Sequence, residues 1–138
     1  MSLGEKIGQA CKGGEVFELR SDLGGGKTAF VRGLATGMGA IDDVSSPSFT
    51  INNTYTSPHL TLEHFDFYRL DQAGILADQL QEDIFHKDTV VAVEWGDIVS
   101  GVLPDAKVSV EISVDQNDSR TFSFLYQAKF QYLFEKLS

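Results

Sequence analysis

Val16-Phe17-Glu18-Leu19, followed shortly by Gly24-Gly25-Gly26-Lys27-Thr28, is the stretch on which the fold turns. The four apolar-rich residues read as a short buried strand. Beyond Thr28, the residues Phe30, Val31, Leu34 and Ala35 fall on one helical face, and Gly37-Met38-Gly39 ends that helix. Strand, glycine loop and helix in this order make half of a βαβ unit. Glycine lets consecutive backbone N–H groups curl round phosphate oxygens without side-chain obstruction, and the helix N-terminus adds its positive end. On this reading the loop from Asp22 through Leu23, Gly24, Gly25 and Gly26 to Lys27, Thr28 and Ala29 holds a nucleoside triphosphate, with ATP as the expected nucleotide. Lys27 neutralises charge on the β- and γ-phosphates and the Thr28 hydroxyl ligates Mg2+. The general phosphate-loop pattern has glycine where this chain has Ser21, which predicts a cost to affinity rather than a loss of binding.

Outward from the loop, Leu3, Ile7, Ala10 and Cys11 recur at helical spacing until Gly13-Gly14 stops the run. Two β-like stretches, Phe49 to Tyr55 and Leu60 to Phe67, flank a turn at Thr56-Ser57-Pro58-His59. Ala73 to Phe85 is weakly helical by pattern. Val90-Val91-Ala92-Val93 is a continuous apolar run of the kind found in central parallel strands. Alternation at Val108, Val110, Ile112 and Val114, a turn at 115–119, and a second strand from Arg120 to Leu125 predict an antiparallel hairpin. Tyr126, Phe130, Leu133, Phe134 and Leu137 describe a closing amphipathic helix.

With 138 residues, 42% of them hydrophobic, one domain spanning 1–138 is expected. No apolar run approaches the roughly 20 residues of a membrane helix, so a cytoplasmic location and no membrane partner are expected. Cys11 is the sole cysteine, which excludes an internal disulfide. A net charge of −9 argues against direct grip on a nucleic acid, because phosphate backbones demand clustered Lys and Arg. Asp115, Asp118, Glu82 and Asp83 read as solvated surface acids.

Ligands of open α/β sheets gather outside the carboxyl ends of the parallel strands. Glu94, closing the Val90–Val93 run, is therefore the best second group for Mg2+, directly or through water. Trp95 either stacks on the base or belongs to the core. Asp66 lies among aromatics in His64-Phe65-Asp66-Phe67-Tyr68-Arg69; it positions water, contacts the metal's outer shell, or pairs with Arg69. His64 reads as packing beside the sheet, and His59 and His86 as surface residues.

Ser21-Asp22-Leu23-Gly24-Gly25-Gly26-Lys27-Thr28, Ser46-Pro47-Ser48-Phe49, Phe65-Asp66-Phe67-Tyr68-Arg69-Leu70 and Glu94-Trp95, in this order, resemble the TsaE family over nearly the whole chain. Ser21, Gly25 and Ser48 depart from the family pattern, and Ser48 keeps a hydroxyl. The resemblance implies an α/β, three-layer P-loop NTPase-like fold with a mainly parallel central sheet and an added antiparallel hairpin. It also implies an ATPase that works with TsaB and TsaD and is needed for N6-threonylcarbamoyladenosine in tRNA. The lack of a glutamine or second lysine in an obvious water-positioning motif predicts weak turnover alone, raised by those partners, and the net charge leaves tRNA to the complex. Thr28 and Glu94 become a Mg2+ pair, Lys27 and Asp66 the catalytic groups, and Ser46 to Phe49 a switch-like loop. A small-molecule kinase is disfavoured because Arg20, Arg32, Arg69 and Arg120 are few and scattered, with Arg69 alone near a motif. A GTPase is disfavoured by the lack of an Asn-Lys-x-Asp segment. A nucleotide-binding module without turnover remains the other alternative.

Overall fold

The computed structural model describes residues 2–21, 26–40, 52–66, 73–94, 101–117 and 119–137. Six strands form one sheet in the order β2-β3-β4-β1-β5-β6: β1 Val16–Ser21, β2 Asn52–Thr56, β3 Thr61–Asp66, β4 Thr89–Glu94, β5 Val108–Val114 and β6 Arg120–Leu125. β3, β4, β1 and β5 run parallel, while β2 and β6 are antiparallel edges, each joined to its neighbour as a hairpin. The expected hairpin at 108–125 is present. The turn before β3 closes another, with Ser57 N–H donating to the Leu60 carbonyl at 2.8 Å. β4 is buried at every position, as its unbroken apolar run demands of a strand covered on both faces.

Helices α1 (Leu3–Ala10) and α2 (Lys27–Met38) cover one face of the sheet, together with a C-terminal 3₁₀ helix, Ala128–Leu137. Helix α3 (Ala73–Ile84) covers β3 and β4 on the other. Three layers result, as the resemblance implies. Glycines bring α1 and α2 into backbone contact: a Cβ on Gly8 would collide with the Leu34 carbonyl oxygen, and one on Gly37 with that of Glu5. The last helix departs from its expected α form. Its apolar pairs Phe130/Leu133 and Phe134/Leu137 are spaced by three, which the tighter 3₁₀ turn places in line, and Tyr126 lies before the helix, stacked on Phe134 with ring centroids 4.2 Å apart. Buried Glu15 ties this helix to the start of β1, accepting the Tyr132 hydroxyl at 2.5 Å and the backbone N–H groups of Lys12 and Gly13 at 2.7 and 2.8 Å.

Asp83 corrects the expectation of a solvated acid, since it is only 9% exposed where α3 packs on the sheet. Its Oδ2 has no hydrogen-bond partner among the described residues. Burial pushes its carboxyl up, opposed by the Gln79 amide and reinforced by Glu82. Burial likewise pushes Glu63 up on β3, opposed by the Thr54 hydroxyl and reinforced by the charge of Asp83. Carboxyls raised in the folded state favour it fully below the ordinary carboxyl range and lose that contribution as pH rises through the raised values. Asp83→Asn is therefore expected to unfold a few degrees (about 2–5 °C) above wild type at neutral pH. The gap should close on acidification toward about pH 4. Thermal unfolding followed by circular dichroism checks this; a lower midpoint for the variant at neutral pH would refute it.

Candidate functional site

The site is assembled by strand register. Ser21 is the last residue of β1, paired with Ile112, and an extended backbone there suits any L-residue, so glycine is not required at that position. Gly26 begins the helix side of the loop with φ +100°, a left-handed conformation that glycine adopts at little cost. As N-cap of α2 it offers no side-chain hydrogen bond. The first N–H groups of α2 thus meet no side-chain cap from that position, the arrangement an anion site needs.

On the neighbouring strands, β3 and β4 pair so that Asp66 stands beside Glu94. Both carboxylates are buried, at 7% and 4% exposure, on the C-terminal edge next to the start of α2. Lys27 Nζ lies 3.5 Å from Glu94 Oε1. The other carboxylate oxygen, Oε2, is 2.6 Å from Nε2 of fully buried His64. Burial works to raise the Glu94 carboxyl, but the His64 hydrogen bond and charge, with the Lys27 ammonium, outweigh it and hold the carboxyl below its ordinary range. Glu94 is therefore a pre-oriented carboxylate, gripped through both oxygens at neutral pH.

Lys27 meets Glu94 and strand register sets Asp66 beside Glu94, while Gly26 and Thr28 flank Lys27 in the chain at the start of α2. Ala29 is solvent-exposed on the first turn. Asp22, Leu23, Gly24, Gly25, Trp95, Arg69 and the Ser46–Phe49 loop lie outside the described residues. Sequence reasoning missed His64. The available signal was its spacing of two from Asp66, which puts both side chains on the same face of a strand. It also passed over Arg120 as scattered; a Cβ built on Gly26 would meet Arg120 Nε at 3.0 Å and Cζ at 3.5 Å, so this arginine lies against Gly26 at the start of α2.

The family model for "Threonylcarbamoyl adenosine biosynthesis protein TsaE" matches residues 1–122. The chain belongs to the TsaE family. The family's tRNA threonylcarbamoyladenosine biosynthesis protein from Bacillus subtilis (strain 168) is 35% identical over 128 residues, covering 92% of this chain and 80% of that one. The family member from Treponema pallidum is 34% identical over 117 residues, covering 85% and 86%. The crystal structure of Bacillus subtilis YdiB superposes with a TM-score of 0.76 at 29% identity, over 98% of this chain and 84% of that one. TsaE membership supports a role in tRNA threonylcarbamoyladenosine modification. No helix among the described residues is long and apolar enough to cross a membrane.

The residues present fit a Mg2+ nucleoside triphosphate. Among the described residues no three of His, Cys, Asp and Glu converge as a metal cage, and Mg2+ carried on phosphates needs only one or two carboxylates beside its waters. Thr28 and Glu94 would supply one hydroxyl and one carboxylate.

Proposed function

We propose that this protein is a weak, cytoplasmic Mg2+-dependent ATPase that works with TsaB and TsaD in making N6-threonylcarbamoyladenosine in tRNA. The observation that carries the reading is the convergence of Lys27, Glu94 and Asp66 beside the start of α2, where Gly26 supplies no side-chain cap. The loop from Asp22 to Ala29 binds the phosphates through its backbone, and Lys27 turns from Glu94 toward the β- and γ-phosphates. Thr28 and Glu94 would hold Mg2+, which would supply charge neutralisation for the phosphates. His64 keeps the Glu94 carboxylate facing the site. Asp66, one strand over, orients the attacking water by accepting its hydrogen bond. Trp95 packs against the base. The positioning groups are present in this chain, while phosphoryl transfer gains several powers of ten from charge delivered late to the transferring group, which is the part assigned to the partners.

A chain of net charge −9 leaves tRNA contact to those partners. Depleting the protein from its native cell is expected to lower threonylcarbamoyladenosine in tRNA, measured by mass spectrometry of nucleosides. The purified protein is expected to show little tRNA affinity at physiological salt. Normal modification after complete depletion would overturn the assignment.

A further inference from the structure

We infer that Arg120 is the nucleoside-side cation of the nucleotide site, pairing with the α-phosphate while Lys27 serves the β- and γ-phosphates. The inference rests on the nucleotide-binding reading above. Strand register sets the height of Arg120. Ser21 on β1 is level with Ile112 on β5 and Phe122 on β6, whereas Arg120 pairs with Val114, two residues farther along β5. At about 3.3 Å per residue, Arg120 stands roughly 7 Å beyond the last paired residue of β1. Packing sets its direction. Phe122 shares a face of β6 with Arg120 and packs on Phe30 of α2, with ring centroids 5.9 Å apart. Gly26 is one helical turn before Phe30, so the contact that seats the hairpin also lays the Arg120 stem across Gly26, its Cδ 3.2 Å from a Cβ built there.

The guanidinium is exposed and makes no ion pair or hydrogen bond with any other described residue. In a chain with 20 acids and 11 Lys and Arg, a cation beside Gly26 without a carboxylate partner among the described residues is available to a polyanion. Topology assigns the end it meets. Lys27 leans toward Glu94 on β4, on one side of β1, whereas Arg120 arrives from β6, beyond β5 on the other. The metal-binding and water-orienting carboxylates mark the β4–β3 side as the transfer end. The opposite side takes the nucleoside end. An exposed hairpin arginine with no ligand is the alternative that the test must separate.

Titration calorimetry with ADP and with a non-hydrolysable ATP analogue, both with Mg2+, would be run on wild type, Arg120→Ala and Arg120→Lys. Arg120→Ala is expected to lose about tenfold to a hundredfold in affinity for both nucleotides alike, with the loss in turnover appearing in KM rather than kcat. Arg120→Lys should recover part of it, since an ammonium keeps the charge without the planar fork. Unfolding midpoints without nucleotide should stay close together, because the side chain is exposed. Unchanged ADP affinity in Arg120→Ala would overturn the inference, as would a loss confined to the ATP analogue and kcat, which would place the arginine at the γ-phosphate. Failure of wild type itself to bind either nucleotide would overturn the nucleotide reading, and this inference with it.

Discussion

Glu94→Gln is expected to remove the dependence of nucleotide affinity on Mg2+ and to lower phosphate release by about a hundredfold or more. The substitution keeps the size and the oxygen that faces buried His64 at 2.6 Å, so the strand edge stays packed. What it deletes is the negative charge. A neutral amide is a poor partner for Mg2+, directly or through its water, because a hard divalent cation favours charged oxygen donors. The Lys27 ammonium, 3.5 Å away, also loses its counter-charge and becomes freer to turn to phosphate. Metal-free nucleotide should therefore bind the variant at least as tightly as wild type, while adding Mg2+ no longer strengthens binding. Calorimetry with and without Mg2+, alongside a phosphate-release assay with TsaB and TsaD present, separates the two effects. A Mg2+ increment equal to that of wild type would remove Glu94 from the metal site.

Lys27→Ala is expected to weaken ATP binding by about tenfold to a hundredfold, the cost of one charge-assisted hydrogen bond of roughly 1.5–3 kcal/mol. The loss should be larger for ATP than for ADP, since the lysine reaches the γ- as well as the β-phosphate. This pattern contrasts with the equal loss expected at Arg120, so the two cations can be assigned to opposite ends of the nucleotide in one series of titrations. Glu94 keeps its bond to His64 when Lys27 is removed, and the fold is expected to survive. Unchanged affinity in Lys27→Ala would sink the phosphate-loop assignment.

The strand Val16–Ser21 and the helix Lys27–Met38 were legible in the sequence because each depends on neighbours in the chain. Apolar spacing makes α2 amphipathic, and positive φ at Gly26 and Gly39 marks its two ends. The buried run of β4 and the alternation in β5 were equally plain, and so was the family, through motifs held in fixed order. Sequence also singled out Lys27, Thr28, Asp66 and Glu94 as candidates, since strand ends and helix starts are where ligands of such sheets gather.

Other features depend on pairings between distant segments, for which a linear pattern carries no signal. His64 reads as an ordinary inward-facing strand residue until β3 is laid parallel to β4, and then it is bonded to a carboxylate 30 residues away. Asp83 reads as a surface acid until α3 packs on the sheet and buries it. Arg120 reads as a hairpin residue until the Phe122–Phe30 contact seats that hairpin beside Gly26. By itself the sequence determined the fold class, the helix that begins at Lys27 and the acids at the strand ends, because these follow from local backbone preference and side-chain periodicity. Only the tertiary structure decided which side chains hold Glu94 in place and which arginine lies against Gly26, because strand register and packing bring those groups together from across the chain.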